Sequence, residues 1–182
     1  ANVDSVDITV KGLGGHGAYP HTTKDPIVIA ANIVTQLQTI VSRQIAPTDP
    51  AVVTVGSIHG GTKHNVIPNE VKLQLTLRSY TDEVRNQTLS SIERIVRGSA
   101  ISAGLTEEYF PVIEIKDEYT PAVFNNPSLV EKVQRSFVNT LGDDKVIEVS
   151  PVMGGEDFGM FGRVEPIIPT ALFWLGAVNN EV

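Results

Sequence analysis

Two glycine-rich stretches carry polar side chains that could donate a hydrogen bond or exchange a proton. The first, GGHGAYPH at residues 14–21, contains His16 and His21. Glycines permit a tight backbone path and close approach to a ligand, and imidazole can donate a hydrogen bond or exchange a proton near neutral pH. A turn with two exposed histidines accounts for the same composition equally well, so both interpretations stay open.

The second stretch, GGTKHNVIP at residues 60–68, places Asn65 directly before a β-branched pair and a proline. An asparagine at such a position usually makes local hydrogen bonds within a turn. His59 and His64 flank the same loop and are expected to face solvent. By itself, this stretch favours a turn over a site.

The remaining candidates are charged. Arg78 lies on the polar face of LQLTLRSY, where its guanidinium is either solvated or presented as a planar fork to a carboxylate. Glu156 and Asp157 follow two glycines in MGGEDFG. They either cap a short helix, or one of them shapes a polar site at the end of a strand. Solvation is the simpler interpretation of Arg78, and capping that of Asp157.

Several well-known catalytic patterns are missing from the sequence. It contains no HExxH, GxSxG or GxxxxGK[ST] motif. Cysteine is absent, which excludes disulfides and cysteine-based zinc sites. The four histidines show no convincing ligand spacing. We therefore assemble no metal site from these residues.

The composition excludes two classes of partner. Hydrophobic residues make up 41% of the 182 residues, and no apolar run approaches the roughly 18–20 residues that span a bilayer. The net charge is −7, without a basic tract that could neutralise phosphates. The first residues, ANVDSVDITVKG, resemble the entry to a strand rather than a signal peptide. We expect neither a membrane nor a nucleic-acid partner, and we take the cytoplasm as the default location.

The elements that must position these residues follow the order β-α-β-β-α-β. Apolar periodicity predicts strands at 5–11, 51–58, 70–79 and 108–116, and helices that begin at Asp25-Pro26 and Thr81-Asp82. This order is typical of a ferredoxin-like sandwich, an α+β fold with one antiparallel sheet and two helices on one face. We place this domain at residues 1–117.

Residues 118–182 differ in character. The linker-like segment DEYTPAVFNNP is followed by a predicted helix at 127–141 and by predicted strands at 145–149 and 170–177. So small a region buries too little apolar surface to be stable alone. We expect it to be the C-terminal fragment of a larger α/β catalytic domain.

Taken in order, the motifs GHGAYPHTTKDP, GGTKHNVIPNE, LQLTLR and MGGEDFGMF resemble one family across essentially the whole chain. This family is the metal-dependent aminoacylase/carboxypeptidase-type metallopeptidases, in the amidohydrolase branch of hippurate, N-acyl-amino-acid and auxin-conjugate hydrolases. The resemblance implies that residues 1–117 are a lid inserted into the metallopeptidase domain. In this family the lid commonly forms a homodimer.

The resemblance also implies roles for three residues. His16 would help to hold the oxyanion, often in the partner subunit's site, and Asn65 would contact substrate or oxyanion. Arg78 would bind the substrate carboxylate. A tetrahedral intermediate needs preorganised donors, and a terminal carboxylate suits a guanidinium fork, so the chemistry is consistent.

The cofactors implied are two divalent metal ions, zinc foremost and manganese, cobalt or nickel as alternatives. The family's ligands lie in motifs such as CGHD and a paired-glutamate segment, which these 182 residues do not contain. We therefore assign no metal ligand here and expect the isolated chain to be inactive. The full-length parent is expected to hydrolyse the amide bond of N-acyl amino acids or short peptides.

A non-enzymatic ferredoxin-like module for ligand binding or dimerisation is the alternative. It accounts for the β-α-β-β-α-β pattern and for the missing metal ligands. It does not account for the joint occurrence of GHGAYPH, NVIP and GGEDF, nor for the incomplete second part.

Overall fold

The computed structural model describes residues 1–177. It divides into two compact units, one comprising Asn2–Tyr119 and the other beginning at Thr120 and including Ala1. The candidates His16, Asn65 and Arg78 all belong to the first unit. None of the helices in the described part of the chain is long and apolar enough to cross a membrane.

The first unit combines a four-stranded sheet, a small two-stranded sheet and two helices. In chain order its elements are β1 (Asn2–Lys11), β2 (Gly15–His16), α1 (Pro26–Thr39), β3 (Ala51–Gly60), β4 (Val66–Ile67), β5 (Glu70–Ser79), α2 (Asp82–Ser102) and β6 (Val112–Ile115). The large sheet is antiparallel in the order β3-β5-β1-β6, and β2 pairs with β4. The predicted ferredoxin-like fold is confirmed.

The hydrophobic core forms because apolar and polar residues alternate along the central strands. On β1, Val6 and Ile8 lie opposite Leu75 and Leu73 of β5, and all four are buried in one cluster with residues of both helices. Successive residues of a strand point to opposite faces of the sheet. The intervening residues of β5, among them the partly buried Arg78, therefore lie on the other face.

Both helices of this unit begin where the sequence predicts. The Asp25 carboxylate accepts a hydrogen bond from the Ile27 amide at 2.9 Å, and Pro26 occupies the first turn of α1. The Thr81 hydroxyl accepts from the Val84 amide at 3.3 Å at the start of α2.

A buried ion pair ties β1 to α2. The Asp4 side chain is only 2% exposed, and Arg85 binds it through Nε, at 3.0 and 2.9 Å from the two carboxylate oxygens, and through a terminal nitrogen at 2.6 Å. The hydrogen bonds to Asp4 raise the pKa of Arg85 above its ordinary value, against the opposing effect of burial. The Arg85 guanidinium also stacks on the ring of Tyr119, with its central carbon 4.0 Å from the ring centre. This contact fixes Tyr119, the last residue of the first unit, against α2.

The second unit contains α3 (Pro127–Leu141), which confirms the helix predicted there. The strands predicted at 145–149 and 170–177 are wrong, because both segments lack strand structure. A strand needs a neighbour that satisfies its backbone, and neither segment has a strand partner among residues 1–177. The Asn125 carboxamide instead bonds the Leu172 carbonyl and amide, at 2.9 and 2.8 Å.

Candidate functional site

The small sheet brings the His16 loop against the Asn65 turn. Gly15 lies opposite Ile67 and His16 lies opposite Val66. Just beyond these pairs, the Gly17 amide donates a hydrogen bond to the Asn65 carbonyl at 2.8 Å. His16 and Asn65 are both exposed. Two residues from distant parts of the sequence are thus presented to solvent on adjoining backbone.

The close approach of the His16 loop to the Asn65 turn explains why position 14 is a glycine. A Cβ atom at Gly14 would lie 2.5 Å from the Ile67 carbonyl oxygen and 2.9 Å from the Pro68 carbonyl carbon. Such distances are too short for any side chain without movement of the backbone. The composition of the stretch predicts close approach of a ligand to its glycines, whereas at Gly14 the approaching group is the NVIP loop.

The His16 ring is held in a defined hydrogen-bonding state. Its Nδ1 accepts a hydrogen bond from the Ala18 amide at 3.1 Å. A neutral imidazole that accepts at Nδ1 carries its proton on Nε2. The free edge of the ring is therefore a hydrogen-bond donor, as an oxyanion requires. Tyr19 lies next to it, with the two ring centres 5.8 Å apart.

Asn65 fits both the turn interpretation and the site interpretation: its backbone is part of a turn, and its side chain is exposed. It lies in a turn in which the Val66 amide donates to the Lys63 carbonyl at 3.3 Å. Its own carbonyl accepts from Gly17, so the backbone is structural. Within residues 1–177 its exposed carboxamide makes no hydrogen bond, so this group remains available to a ligand.

Arg78 lies far from these two residues. It occupies the end of β5, between Val3 on β1 and Val52 on β3. The Glu70 end of β5 adjoins the loops of the small sheet, and Arg78 lies eight residue steps further along the strand, a span of about 27 Å. The Arg78 guanidinium forms no ion pair and no hydrogen bond with any of residues 1–177. One copy of the chain therefore does not bring Arg78 to the same small ligand as His16 and Asn65.

The other candidates are structural or solvent-facing. Glu156 forms the N-cap of the 3-10 helix Asp157–Arg163, its Oε1 accepting from the Phe158 amide at 3.2 Å. The capping interpretation therefore applies to Glu156, and Asp157 lies in the first turn. His59 and His64 are exposed.

No metal centre forms from the residues in hand. Among residues 1–177, no group of three His, Asp or Glu side chains is placed to hold a metal ion. The side chains of residues 1–177 therefore do not by themselves supply the dinuclear centre implied by the resemblance.

Sequence analysis missed the pairing of β2 with β4 and the part played by Asn69. The Asn69 carboxamide oxygen accepts from the Gly14 amide at 3.0 Å, and its backbone carbonyl accepts from Gly12 at 2.8 Å. Two-residue strands are too short for periodicity to reveal. The available signal was the glycine-rich composition of the segment that faces NVIPN.

This architecture defines a ferredoxin-like domain that presents polar groups on exposed loops rather than enclosing a site. Residues 1–102 match the family of peptidase dimerisation domains. The chain belongs to the M20 amidohydrolases and peptidases and contains their dimerisation domain.

Similar proteins include hydrolases. An N-acetyldiaminopimelate deacetylase of Lactococcus lactis subsp. cremoris is 39% identical over 181 residues, which is 100% of this chain and 46% of that protein. A crystal structure described as an aminohydrolase of methicillin-resistant Staphylococcus aureus has a TM-score of 0.77 at 31% identity, covering 88% of this chain and 40% of that one. An aminopeptidase of Bacillus cereus, at 18% identity, TM-score 0.70 and coverage of 87% and 40%, shares the fold. The chain spans about half the length of the relatives it matches.

Proposed function

We propose that the protein to which this chain belongs hydrolyses the amide bond of N-acyl amino acids or short peptides. The observation that carries the proposal is the joint exposure of His16 and Asn65 on paired loops of a dimerisation domain. The 39% identity to a deacetylase supports an N-acyl substrate. The cytoplasm stays the default location.

In this proposal, His16 and Asn65 stabilise the oxyanion that forms when the amide carbonyl is attacked. The His16 ring is held by its bond from the Ala18 amide, which leaves Nε2–H as a donor, and Asn65 is held through its backbone carbonyl by the Gly17 amide. Preorganised donors lower the barrier because they need no rearrangement as charge develops. Removal of one such donor typically lowers turnover about 10²–10³-fold.

Arg78 binds the substrate carboxylate through its planar fork. An extended dipeptide-sized substrate spans only about 7 Å, far less than the length of β5 that separates Arg78 from the small sheet. One catalytic site must then take Arg78 from one copy of the chain and His16 with Asn65 from another. A symmetric homodimer would contain two such sites.

The edge of the large sheet beside α1 is the surface we propose for that homodimer. Strand β3 lies at the edge, and an exposed edge needs pairing or protection. Exposed apolar side chains lie on β3 and on the first turn of α1: Ile58 is 51% exposed, Ile27 43% and Val28 56%. Ile27 Cδ1 is 3.5 Å from the position of a Cβ atom on Gly61, so the start of α1 adjoins the end of β3.

Activation of water is the chemistry that the family resemblance assigns to two divalent metal ions, zinc foremost. Because the described side chains do not fit such a centre, we assign no ligand and no step to it here. The contribution we propose for this chain is limited to binding the oxyanion, binding the carboxylate and forming the dimer.

The experiment is a hydrolysis assay on the full-length protein supplied with divalent metal, using N-acetyl amino acids that include N-acetyldiaminopimelate. We expect His16→Ala and Asn65→Ala to lower kcat, and Arg78→Ala mainly to raise KM. Asn139→Ala and Arg135→Ala, at exposed positions of α3, are the matched controls. An active enzyme in which all three site variants match the controls would refute the roles proposed.

A further inference from the structure

The small sheet needs support beyond its own hydrogen bonds. It contains only two residue pairs, Gly15 with Ile67 and His16 with Val66, and an isolated two-stranded ribbon is marginally stable in water. No tight turn joins its strands, because α1 and β3 lie between them in the sequence. The register that sets His16 against Val66, and Gly17 against Asn65, must therefore be fixed by contacts at the ends of the ribbon.

Asn69 supplies the contacts at one end. It follows β4 and directly precedes β5, so it is anchored to a strand at the centre of the large sheet. Its backbone carbonyl accepts from the Gly12 amide at 2.8 Å, and its Oδ1 accepts from the Gly14 amide at 3.0 Å. In the described part of the chain, no other side-chain hydrogen bond joins the His16 loop to the loop that carries Asn65.

We infer that Asn69 is a positioning residue: its carboxamide oxygen fixes the register of the His16 loop, and through it the position of His16 beside Asn65. The inference rests on the proposed function, because it concerns the same pair of oxyanion donors. Asn69 acts through Gly14 rather than on substrate.

The consequence of losing this bond follows from strand geometry. A shift of one residue in register would turn the His16 side chain to the opposite face of the ribbon. Even a displacement of about 1 Å in a catalytic group can lower the rate about 10²-fold. Leucine at position 69 matches asparagine in size but has no acceptor, whereas aspartate keeps an oxygen where Gly14 donates.

The test compares Asn69→Leu with Asn69→Asp in the full-length protein, each also combined with His16→Ala. We expect Asn69→Leu to lower kcat about ten- to a hundredfold with little change in KM, and Asn69→Asp to keep most of the activity. In the His16→Ala background, Asn69→Leu should add little, because residues that act through one group are not additive. Amide exchange at Gly14, measured by NMR, should quicken in Asn69→Leu but not in Asn69→Asp.

Each other result has a distinct meaning. If His16→Ala is inactive while Asn69→Leu has normal kcat, the inference is wrong and the proposed function stands. An equal loss in both backgrounds assigns Asn69 a general structural role and also overturns the inference. Full activity of His16→Ala refutes the proposed function itself. Should Asn69→Leu fail to fold, Asn69→Ser, whose shorter side chain does not reach Gly14, replaces it with the same readouts.

Discussion

The separation of Arg78 from His16 predicts that two impaired variants, His16→Ala and Arg78→Ala, restore each other's activity. Along β5, about 27 Å lies between the Glu70 end and Arg78. If one site takes Arg78 from one subunit and His16 from its partner, a dimer of His16→Ala with Arg78→Ala has one intact site. Its second site lacks both residues.

The expected recovery follows from symmetry. Random exchange between equal amounts of the two variants gives about half heterodimers, each with one of its two sites complete, so about a quarter of wild-type activity returns. His16→Ala alone should retain about 10⁻²–10⁻³ of wild-type turnover, because it lacks an oxyanion donor. Arg78→Ala alone should show little activity at substrate concentrations well below its raised KM, and the mixture is assayed under that condition. The mixture should therefore exceed the His16→Ala parent at least about 25-fold.

The assay requires two full-length variants with different affinity tags. Purification through both tags in succession isolates heterodimers and proves that subunits have exchanged. A mixture of His16→Ala with Asn65→Ala is the matched control: both residues come from the same copy in this arrangement, so no complete site forms. Verified heterodimers of His16→Ala with Arg78→Ala that stay inactive would refute the shared site.

Two further predictions concern the stability of the first unit. Arg85→Leu leaves the Asp4 carboxylate buried without its partner and should lower the free energy of unfolding, measured by urea titration, by about 3–5 kcal/mol. Lys72→Leu, which breaks an exposed pair with Glu70 in the same unit, should cost under about 1 kcal/mol in the same assay. Equal losses would show that the burial of Asp4 is not decisive. Hydrogen bonds to Asp7 and Glu114 raise the pKa of Lys116, so its stabilising effect is complete below the ordinary lysine pKa of about 10.4 and is lost as pH rises through the higher folded value. The melting temperatures of wild type and Lys116→Met should accordingly differ at neutral pH and converge in strong alkali, and a constant difference would contradict this assignment.

The sequence predicts the first unit well because its central strands are long. Strand β5 has the bounds predicted for it, 70–79, since ten residues of alternation leave one register that buries Leu73 and Leu75. The predicted strand at 108–116 is shorter in the structure, where Glu107–Tyr109 forms a 3-10 turn and β6 covers only Val112–Ile115. The division at residue 117 stays a prediction of where the catalytic domain resumes.

The second unit shows where periodicity fails. Residues 145–149 and 170–177 have apolar, strand-like composition, yet a strand exists only with a neighbour, and composition does not say whether one is present. Ile147 and Trp174 are 78% and 73% exposed as a result. Exposed apolar side chains of this size are typical of surfaces that bind further polypeptide. This agrees with a chain that spans 46% of its deacetylase relative.

The sequence identifies which residues could form the candidate site, but it does not show which of them lie close together. The loops that carry His16 and Asn65 meet because β1 and β5 are neighbours, with Lys11 opposite Glu70. The loop that leaves β1 therefore lies against the loop that enters β5. The same pairing sends Arg78 to the opposite end of the sheet, beside Val3. A rigid antiparallel sheet thus fixes donors and guanidinium at a separation that one small substrate cannot span. Under the roles proposed for His16, Asn65 and Arg78, the same fold requires a second copy of the chain to complete each site, so the proposal makes dimerisation a condition of catalysis.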